Sequence, residues 1–159
     1  MELVITIQYF EENTIIDTDF DGNKVYNHLI DAQEIMLSEL LGRKIYADMQ
    51  LWLANNPAPS TIQQELIDKC KPFVLKATEL YLIPFLNTPI TAKGTMERRG
   101  DYTSRANDTL SGLRLDNVRA KVEHYAEQVR LFLSDNRNDF PKWQCEDGHQ
   151  NFYSTIYLV

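Results

Sequence analysis

The stretch Ser104–Ser134 reads SRANDTLSGLRLDNVRAKVEHYAEQVRLFLS and carries the clearest helical pattern in the chain. Its apolar side chains follow a period of 3.6 residues, which predicts one continuous amphipathic helix. The positions on this period are Leu110, Leu113, Val118, Val122, Tyr125, Val129, Phe132 and Leu133. Such a helix would be about 45 Å long at 1.5 Å per residue. That length is typical of the spine of a bundle, or of a helix that extends to a neighbouring molecule.

Two shorter helices are predicted in the first third of the chain. The first covers about Val25–Leu41, where leucine and methionine recur at spacings of three, four and seven. Gly42 fits the position just past a helix end, which favours a left-handed glycine. The second helix is expected over Arg43–Ala54, and the prolines of the following NNPAPS end it.

A third helix is predicted from about Thr61, because Ser60 and Gln63 form a capping-box signature in front of it. We expect this helix to kink or restart at Pro72. The next stretch, PFVLKATELYLIPFL, is too apolar for the surface of a protein. It is therefore predicted as a buried helix that ends before Pro84.

The two ends of the chain differ from its helical middle. LVITIQYF at residues 3–10 and NFYSTIYLV at 151–159 are rich in β-branched and aromatic residues, which favours short strands or extended arms. Either the two ends pair with each other and close the bundle, or they reach other subunits, because unpaired strand edges are adhesive. Ahead of the second end, Phe140 and Trp143 are expected to anchor a turn-rich stretch.

The sequence therefore predicts an all-α fold, a bundle of four or five helices with one long C-terminal helix and short extended N- and C-terminal segments. We expect one domain over residues 1–159. It would comprise an extended segment and loop at 1–24, the helical bundle at 25–135 and a tail at 136–159. No apolar run is long enough for a transmembrane helix, and we expect no signal peptide because the start lacks a basic segment and a cleavage site.

Charge is unevenly distributed along the chain. The net charge is −7, yet residues 1–70 carry 12 acidic against 4 basic side chains, and residues 91–130 carry 6 against 8. An acidic chain is a poor general nucleic-acid binder, because phosphates are repelled on average. Copies of the chain could meet acidic face to basic face, or both faces could be solvated. The two cysteines, Cys70 and Cys145, are expected to be free thiols in a reducing cytoplasm.

The chemical motifs of the chain are incomplete. DTDFDG, Asp17–Gly22, matches the first half of an EF-hand loop, but His28 stands where calcium requires a bidentate glutamate. We therefore expect an acidic turn in front of the first helix. Cys145 and His149 are four residues apart, and they lack nearby residues that would complete a zinc site or a catalytic pair.

The long helix carries a histidine and two glutamates, for which a solvated position is expected. His124 and the pair Glu123 and Glu127 fit a helix surface, and the bare glutamate pair does not indicate acid–base catalysis. The sequence thus predicts no catalytic residue, no metal site and no cofactor, in a protein that is not an enzyme.

The loop TAKGTMERRGDY, residues 91–102, lies in front of the long helix. Its glycines do not form a phosphate-binding loop, since the lysine and the following serine or threonine of that motif are missing. It is either a solvated loop or a contact surface for other chains, since its bases can bind carboxylates or phosphates. The residues predicted to contact other chains are Lys93, Arg98, Arg99 and Tyr102 in this loop and Phe152, Tyr153, Ile156 and Tyr157 in the tail.

Three stretches together resemble a known family. They are IDAQEIMLSELLGRKIYADM (Ile30–Met49), KPFVLKATELYLIPFLNTPITAKGT (Lys71–Thr95) and LFLSDNRNDFPKW (Leu131–Trp143). Through their hydrophobic spacing, a Leu-Leu-Gly turn and a Thr-x-Lys-Gly turn, residues 25–143 resemble the head-to-tail connector (adaptor or ring) proteins of tailed phages, crAss-like phages and related phages of Bacteroidetes. No catalytic signature accompanies these motifs.

The resemblance implies a virion structural protein, a helical subunit that forms a ring, commonly twelvefold, in the neck of the phage. Its partners would be copies of itself, the portal protein and another neck or tail protein, with no membrane involved. DNA would pass through the lumen only as cargo. The protein would then be found in the virion neck, and in the host cytoplasm during assembly.

Two other functions stay open at the level of sequence. One is a non-viral oligomeric protein-interaction module, which would share the adhesive ends and the uneven charge. The other is a small helical hydrolase that uses His124 or Cys145.

Overall fold

A computed structural model describes residues 2–14, 22–86, 90–91, 94–95 and 108–143, and within these ranges the chain is an all-α helical bundle, as predicted. Its helical elements are α1 (Ile7–Asn13), α2 (Gly22–Asp31), a π-helical segment (Ala32–Leu37), α3 (Ser38–Leu41), α4 (Arg43–Leu53), α5 (Thr61–Leu86) and α6 (Asp108–Asp135). Two short strands, β1 (Ile90–Thr91) and β2 (Gly94–Thr95), pair antiparallel, with Ile90 opposite Thr95.

Helices α5 and α6 form the centre of the bundle. They pack along each other, and α5 also packs against α2, the π segment and α4. Every residue from 73 to 80 on α5 is buried, so this part of the helix is enclosed on all sides. The predictions of a buried helix in this stretch and of a long C-terminal spine are confirmed. None of the described helices is long and apolar enough to cross a membrane.

Helix α5 continues through both of its prolines. The sequence predicts a kink or a restart at Pro72 and an end before Pro84; the helix does not restart at Pro72 and does not end before Pro84, so these two expectations are wrong. A proline inside a helix costs about 3 kcal/mol. Phe73 and Val74, which follow Pro72 directly, are 0% and 1% exposed. Burying a large apolar side chain contributes roughly 1.5–3 kcal/mol, so packing against the rest of the bundle offsets the cost of the proline.

The predicted start of α5 is confirmed by its capping box. The Ser60 N–H donates to Gln63 Oε1 at 2.8 Å, and the Gln63 N–H donates to Ser60 Oγ at 3.5 Å. The two residues thereby satisfy backbone donors that the first turn of a helix leaves without intrahelical partners.

Gly42 separates α3 from α4, as the sequence predicts. Its φ of 76° and ψ of 148° lie in a region that only glycine occupies without strain. We expect Gly42→Ala to lower the free energy of unfolding by about 1–3 kcal/mol, measured by urea denaturation followed by circular dichroism. A Cβ built at this position meets no heavy atom within 4 Å, so the expected loss comes from the backbone alone. An unchanged stability would mean that the turn relaxes to a negative φ.

The first residues of the chain fold back onto the bundle. The sequence predicts a short strand or an extended arm over residues 3–10, within an extended segment and loop over 1–24; this is wrong for Ile7–Asn13, which form α1. The Thr6 side chain caps α1 by accepting a hydrogen bond from the Tyr9 N–H at 3.1 Å. Val4, Ile5 and Phe10 are buried in the core. We refer to residues 2–14 as the N-terminal strap.

The turn after α6 closes one end of the bundle. Phe140 and Trp143 are buried there, which confirms the two predicted anchors. The Phe140 ring centroid lies 6.3 Å from that of Trp52 on α4 and 6.2 Å from that of Phe132 on α6. Lys142 Nζ adds an ion pair with Asp48 Oδ2 of α4 at 2.7 Å. The tail from residue 144 onward lies outside the described residues.

Candidate interaction surface

The residues predicted to contact other chains lie outside the described residues. They are Lys93, Arg98, Arg99, Tyr102, Phe152, Tyr153, Ile156 and Tyr157, and Cys145, His149 and residues 17–21 of the acidic turn lie outside as well. Strands β1 and β2 place the start of the TAKGTMERRGDY loop in an antiparallel hairpin. Lys93 falls in the two-residue stretch between these strands in the sequence.

The strap, the π segment and α3 carry a set of exposed acidic residues, which we call the acidic surface. Its exposed carboxylates are those of Glu2, Glu11, Glu12, Glu34 and Glu39. Because α1 packs against α2, the strap and the following helices form adjoining parts of the molecule. Two large apolar side chains are also exposed along these helices, Tyr26 at 41% and Ile35 at 45%. Exposed carboxylates and exposed apolar side chains on neighbouring elements are suited to a basic partner surface with apolar anchors.

Basic side chains lie on the first half of the described part of α6. Arg114 and Lys121 are exposed and seven residues apart, which places them about two turns from each other on one side of the helix. Arg119 is partly buried, and its Nη1 lies 3.2 Å from Asp116 Oδ1. We call Arg114 and Lys121 the basic positions of α6. The exposed carboxylates of Glu34 and Glu39 and the basic positions of α6 therefore belong to different helical elements.

The second half of α6 confirms the predicted solvated positions. His124 is exposed. Arg130 lies close to both glutamates, with Nη1 at 3.1 Å from Glu123 Oε1 and at 3.3 Å from Glu127 Oε2. The two carboxylates are therefore partners of a single arginine on the surface of the helix. Ion pairs of this kind contribute little to stability, typically below about 1 kcal/mol.

His28 lies on α2, where it is close to Asp31 of the same helix and to Tyr81 of α5. Its Nδ1 is 3.8 Å from Asp31 Oδ2, and its ring stacks on Tyr81 at a centroid distance of 6.4 Å and an interplanar angle of 7°. Burial lowers the pKa of His28, and the nearby Asp31 opposes this effect. Burial also raises the pKa of Tyr81, helped by the negative charges of Asp31 and Glu39. At neutral pH the contact therefore joins an uncharged imidazole and an uncharged phenol.

Cys70 is a free thiol inside the core, where burial strongly raises its pKa. A thiol that does not ionise at neutral pH is a poor nucleophile and a poor metal ligand. Within the described ranges, no group of three or more histidine, cysteine, aspartate or glutamate residues is arranged to hold a metal ion.

The bundle contains buried polar groups that the sequence analysis did not identify. Gln33 is 0% exposed, Lys76 8% and Glu79 1%. Lys76 Nζ donates to Glu79 Oε1 at 2.7 Å, and Thr14 Oγ1 donates to the same oxygen at 3.1 Å. The lysine and glutamate carry a sequence signal, because opposite charges three residues apart in an apolar helix face the same side. Gln33 carries none, since its partners come from the distant strap.

The comparisons with known proteins identify one family. A family model described as a family of unknown function, DUF6712, matches residues 19–153. Among curated proteins and among solved structures, no match is found. The matched range includes α2 to α6 and leaves out the whole strap and the last six residues of the sequence. The family model thus covers well over half of the sequence, and the chain belongs to the DUF6712 family.

Proposed function

We propose that the protein is a structural subunit of a phage head-to-tail connector ring. In this role it binds copies of itself, the portal protein and the next neck or tail protein, and DNA passes through the lumen of the ring. The proposal rests on the resemblance of residues 25–143 to such connector proteins. The portal, the neighbouring tail protein and the place in the virion neck follow from that resemblance.

The packing of the resembling stretches is the observation that carries the proposal. Ile30–Met49 covers the end of α2, the π segment, α3 and most of α4, and Lys71–Thr95 covers the second half of α5. Leu131–Trp143 covers the end of α6 and the closing turn. Ile30–Met49 includes parts of three elements that pack against α5, Lys71–Thr95 begins on α5 itself, and Leu131–Trp143 lies on α6 and the turn that closes the bundle. The resemblance therefore concerns the core of one fold, which favours a shared architecture over a local coincidence of motifs.

The distribution of charge supports assembly of identical copies. A ring built from head-to-tail contacts needs two different, complementary patches on each subunit. Glu34 and Glu39 of the acidic surface and the basic positions Arg114 and Lys121 of α6 have opposite charge and lie on different helices. In this proposal the acidic surface of one subunit faces the basic positions of the next. Charge complementarity of this kind sets orientation and speeds association.

The direct test of the proposed function is binding to the portal. The purified chain is mixed with purified portal rings of the phage that encodes it, and the particles are examined by native mass spectrometry and electron microscopy. A ring of this chain on the portal is the expected result. A chain that stays monomeric in the presence of the portal, or virions whose neck lacks it, would refute the proposal.

Charge reversal tests the arrangement of subunits within the ring. We expect Glu34→Lys with Glu39→Lys to weaken ring formation by at least about tenfold, because like charges across an interface repel strongly. Arg114→Glu with Lys121→Glu should have the same effect, and the chain with all four changes should recover. Glu65→Lys reverses an exposed acid on α5 and is the matched control. If the fourfold variant stays as weak as the double variants, these surfaces do not face each other.

A further inference from the structure

We propose that the N-terminal strap, residues 2–14, opens and closes on the bundle as a single unit. Gln33 holds its beginning, Glu79 holds its end, and α1 connects the two attachments. The strap is then a conformational device within the fold, and its opening is distinct from the unfolding of the bundle. This inference rests only on contacts within one chain and does not depend on the proposed function.

Gln33 holds the first residues of the strap through the main chain. Its Oε1 accepts a hydrogen bond from the Val4 N–H at 2.8 Å, and its Nε2 donates to the Glu2 carbonyl oxygen at 2.7 Å. The Tyr46 hydroxyl also forms a hydrogen bond with this amide. Gln33 is fully buried. If the strap detached while Gln33 remained buried, the amide oxygen and nitrogen of Gln33 would lose their partners in the strap, which costs free energy.

Gln50 on α4 contacts the same part of the strap at the surface. It accepts from the Glu2 N–H at 3.0 Å and donates to the Glu2 carbonyl oxygen at 3.2 Å. Both of these hydrogen bonds are exposed to solvent, so water can replace them at little cost. Gln50 therefore resembles Gln33 in chemistry and in bonding partner, but differs from it in burial.

Glu79 holds the other end of the strap. Its Oε1 accepts hydrogen bonds from Thr14 Oγ1 at 3.1 Å and from Lys76 Nζ at 2.7 Å. Glu79 is 1% exposed, so the Thr14 hydroxyl is one of the groups that solvate a buried carboxylate. Hydrogen bonds to charged groups are stronger than those between neutral groups.

Helix α1 couples the two attachments because it is too short to be stable alone. It has seven residues, and isolated helices shorter than about 12 residues are marginal in water. Thr6, its N-cap, follows the segment that Gln33 holds, and the N–H of Thr14, its C-cap, donates to the Phe10 carbonyl oxygen at 2.9 Å. Both caps are bonds within the strap, so α1 depends on the attachments at its two ends to stay against the bundle; detaching either end destabilises α1 and releases the buried Phe10 with it.

Residue-resolved amide hydrogen exchange on the full chain tests the proposal. In Gln33→Met, which keeps the length of the side chain and removes its polar atoms, the amides of Val4 and Thr14 should both exchange at least about tenfold faster. Amides in the centres of α5 and α6 should keep their wild-type rates, which separates strap opening from global unfolding. Faster exchange at Val4 alone would show that the strap frays from its end, and would overturn the proposal.

Two further variants complete the test. Gln50→Met removes exposed hydrogen bonds to the same residue, Glu2, and should leave the exchange of Val4 and Thr14 within about twofold of wild type. Thr14→Val removes the hydroxyl at the far end and should accelerate exchange at Val4, because coupling between two sites is reciprocal. If Thr14→Val leaves Val4 unchanged, the two ends open independently and the proposal is wrong.

Discussion

Replacing Lys76 by methionine is expected to lower the free energy of unfolding by about 3–5 kcal/mol, the loss typical when one partner of a buried ion pair is removed. The Glu79 carboxylate would keep its burial and lose the ammonium 2.7 Å away, with the Thr14 hydroxyl still in place. Urea denaturation followed by circular dichroism measures the change.

The double variant Lys76→Met with Glu79→Leu is the matched control for this prediction. Replacing both members of a buried ion pair by apolar groups of similar volume is often neutral or stabilising. We therefore expect the double variant to be more stable than Lys76→Met alone. If the single substitution costs less than about 1 kcal/mol, other groups solvate Glu79, and the ion pair with Lys76 contributes little to stability.

The second large effect is expected at the closed end of the bundle. Phe140→Ala should lower the free energy of unfolding by about 3–5 kcal/mol, as for other aromatic side chains removed from a core. Phe140 is 1% exposed and contacts the rings of Trp52 and Phe132, so its loss leaves a cavity between α4, α6 and the closing turn. The same denaturation experiment measures the loss.

Leu131→Ala is the control for the Phe140 substitution. Leu131 is 49% exposed, although it lies on α6 directly beside Phe132. Its truncation should cost less than about 1 kcal/mol, because little apolar surface is returned to water. Equal losses for the two variants would mean that Phe140 does not anchor the turn.

Helix positions were predictable where local chemistry and packing agree. The capping box at Ser60, the glycine at residue 42 and the 3.6-residue period of α6 each indicate the same helices that the structure has. Each signal lies within a few residues of the element that it specifies. The agreement extends to the all-α fold as a whole, because the helices need only each other's apolar faces to form the core.

The fold departed from the sequence-based expectation where distant contacts outweigh local preference. The β-branched residues before Tyr9 favour a strand when considered alone, yet Val4 and Ile5 are buried in the core and Thr6 caps a helix. A proline similarly ends most helices. The buried residues after Pro72 nevertheless keep α5 continuous. A prediction from neighbouring residues alone does not include the free energy gained when these side chains are buried.

For the candidate site, the sequence predicts a contact function and an uneven distribution of charge, and the contact function stays a prediction. The uneven distribution of charge could be predicted from the sequence. In the acidic region, residues 1–70, the structure exposes side chains such as those of Glu34 and Glu39. The role of Gln33 was not readable, because its partners in the strap are 29 and 31 residues away. The eight contact residues named from the loop and the tail stay predictions.

The attachment of the closing turn to α4 limits how far the residues after Trp143 can lie from the bundle. Trp143 is buried and Lys142 is ion-paired with Asp48, so the last sixteen residues leave from a fixed point. A chain spans at most about 3.5 Å per residue. Phe152 can thus reach no farther than roughly 30 Å from that point, and Tyr157 no farther than roughly 50 Å. Partners cross-linked to these aromatic residues would therefore lie within a sphere of known radius around Trp143.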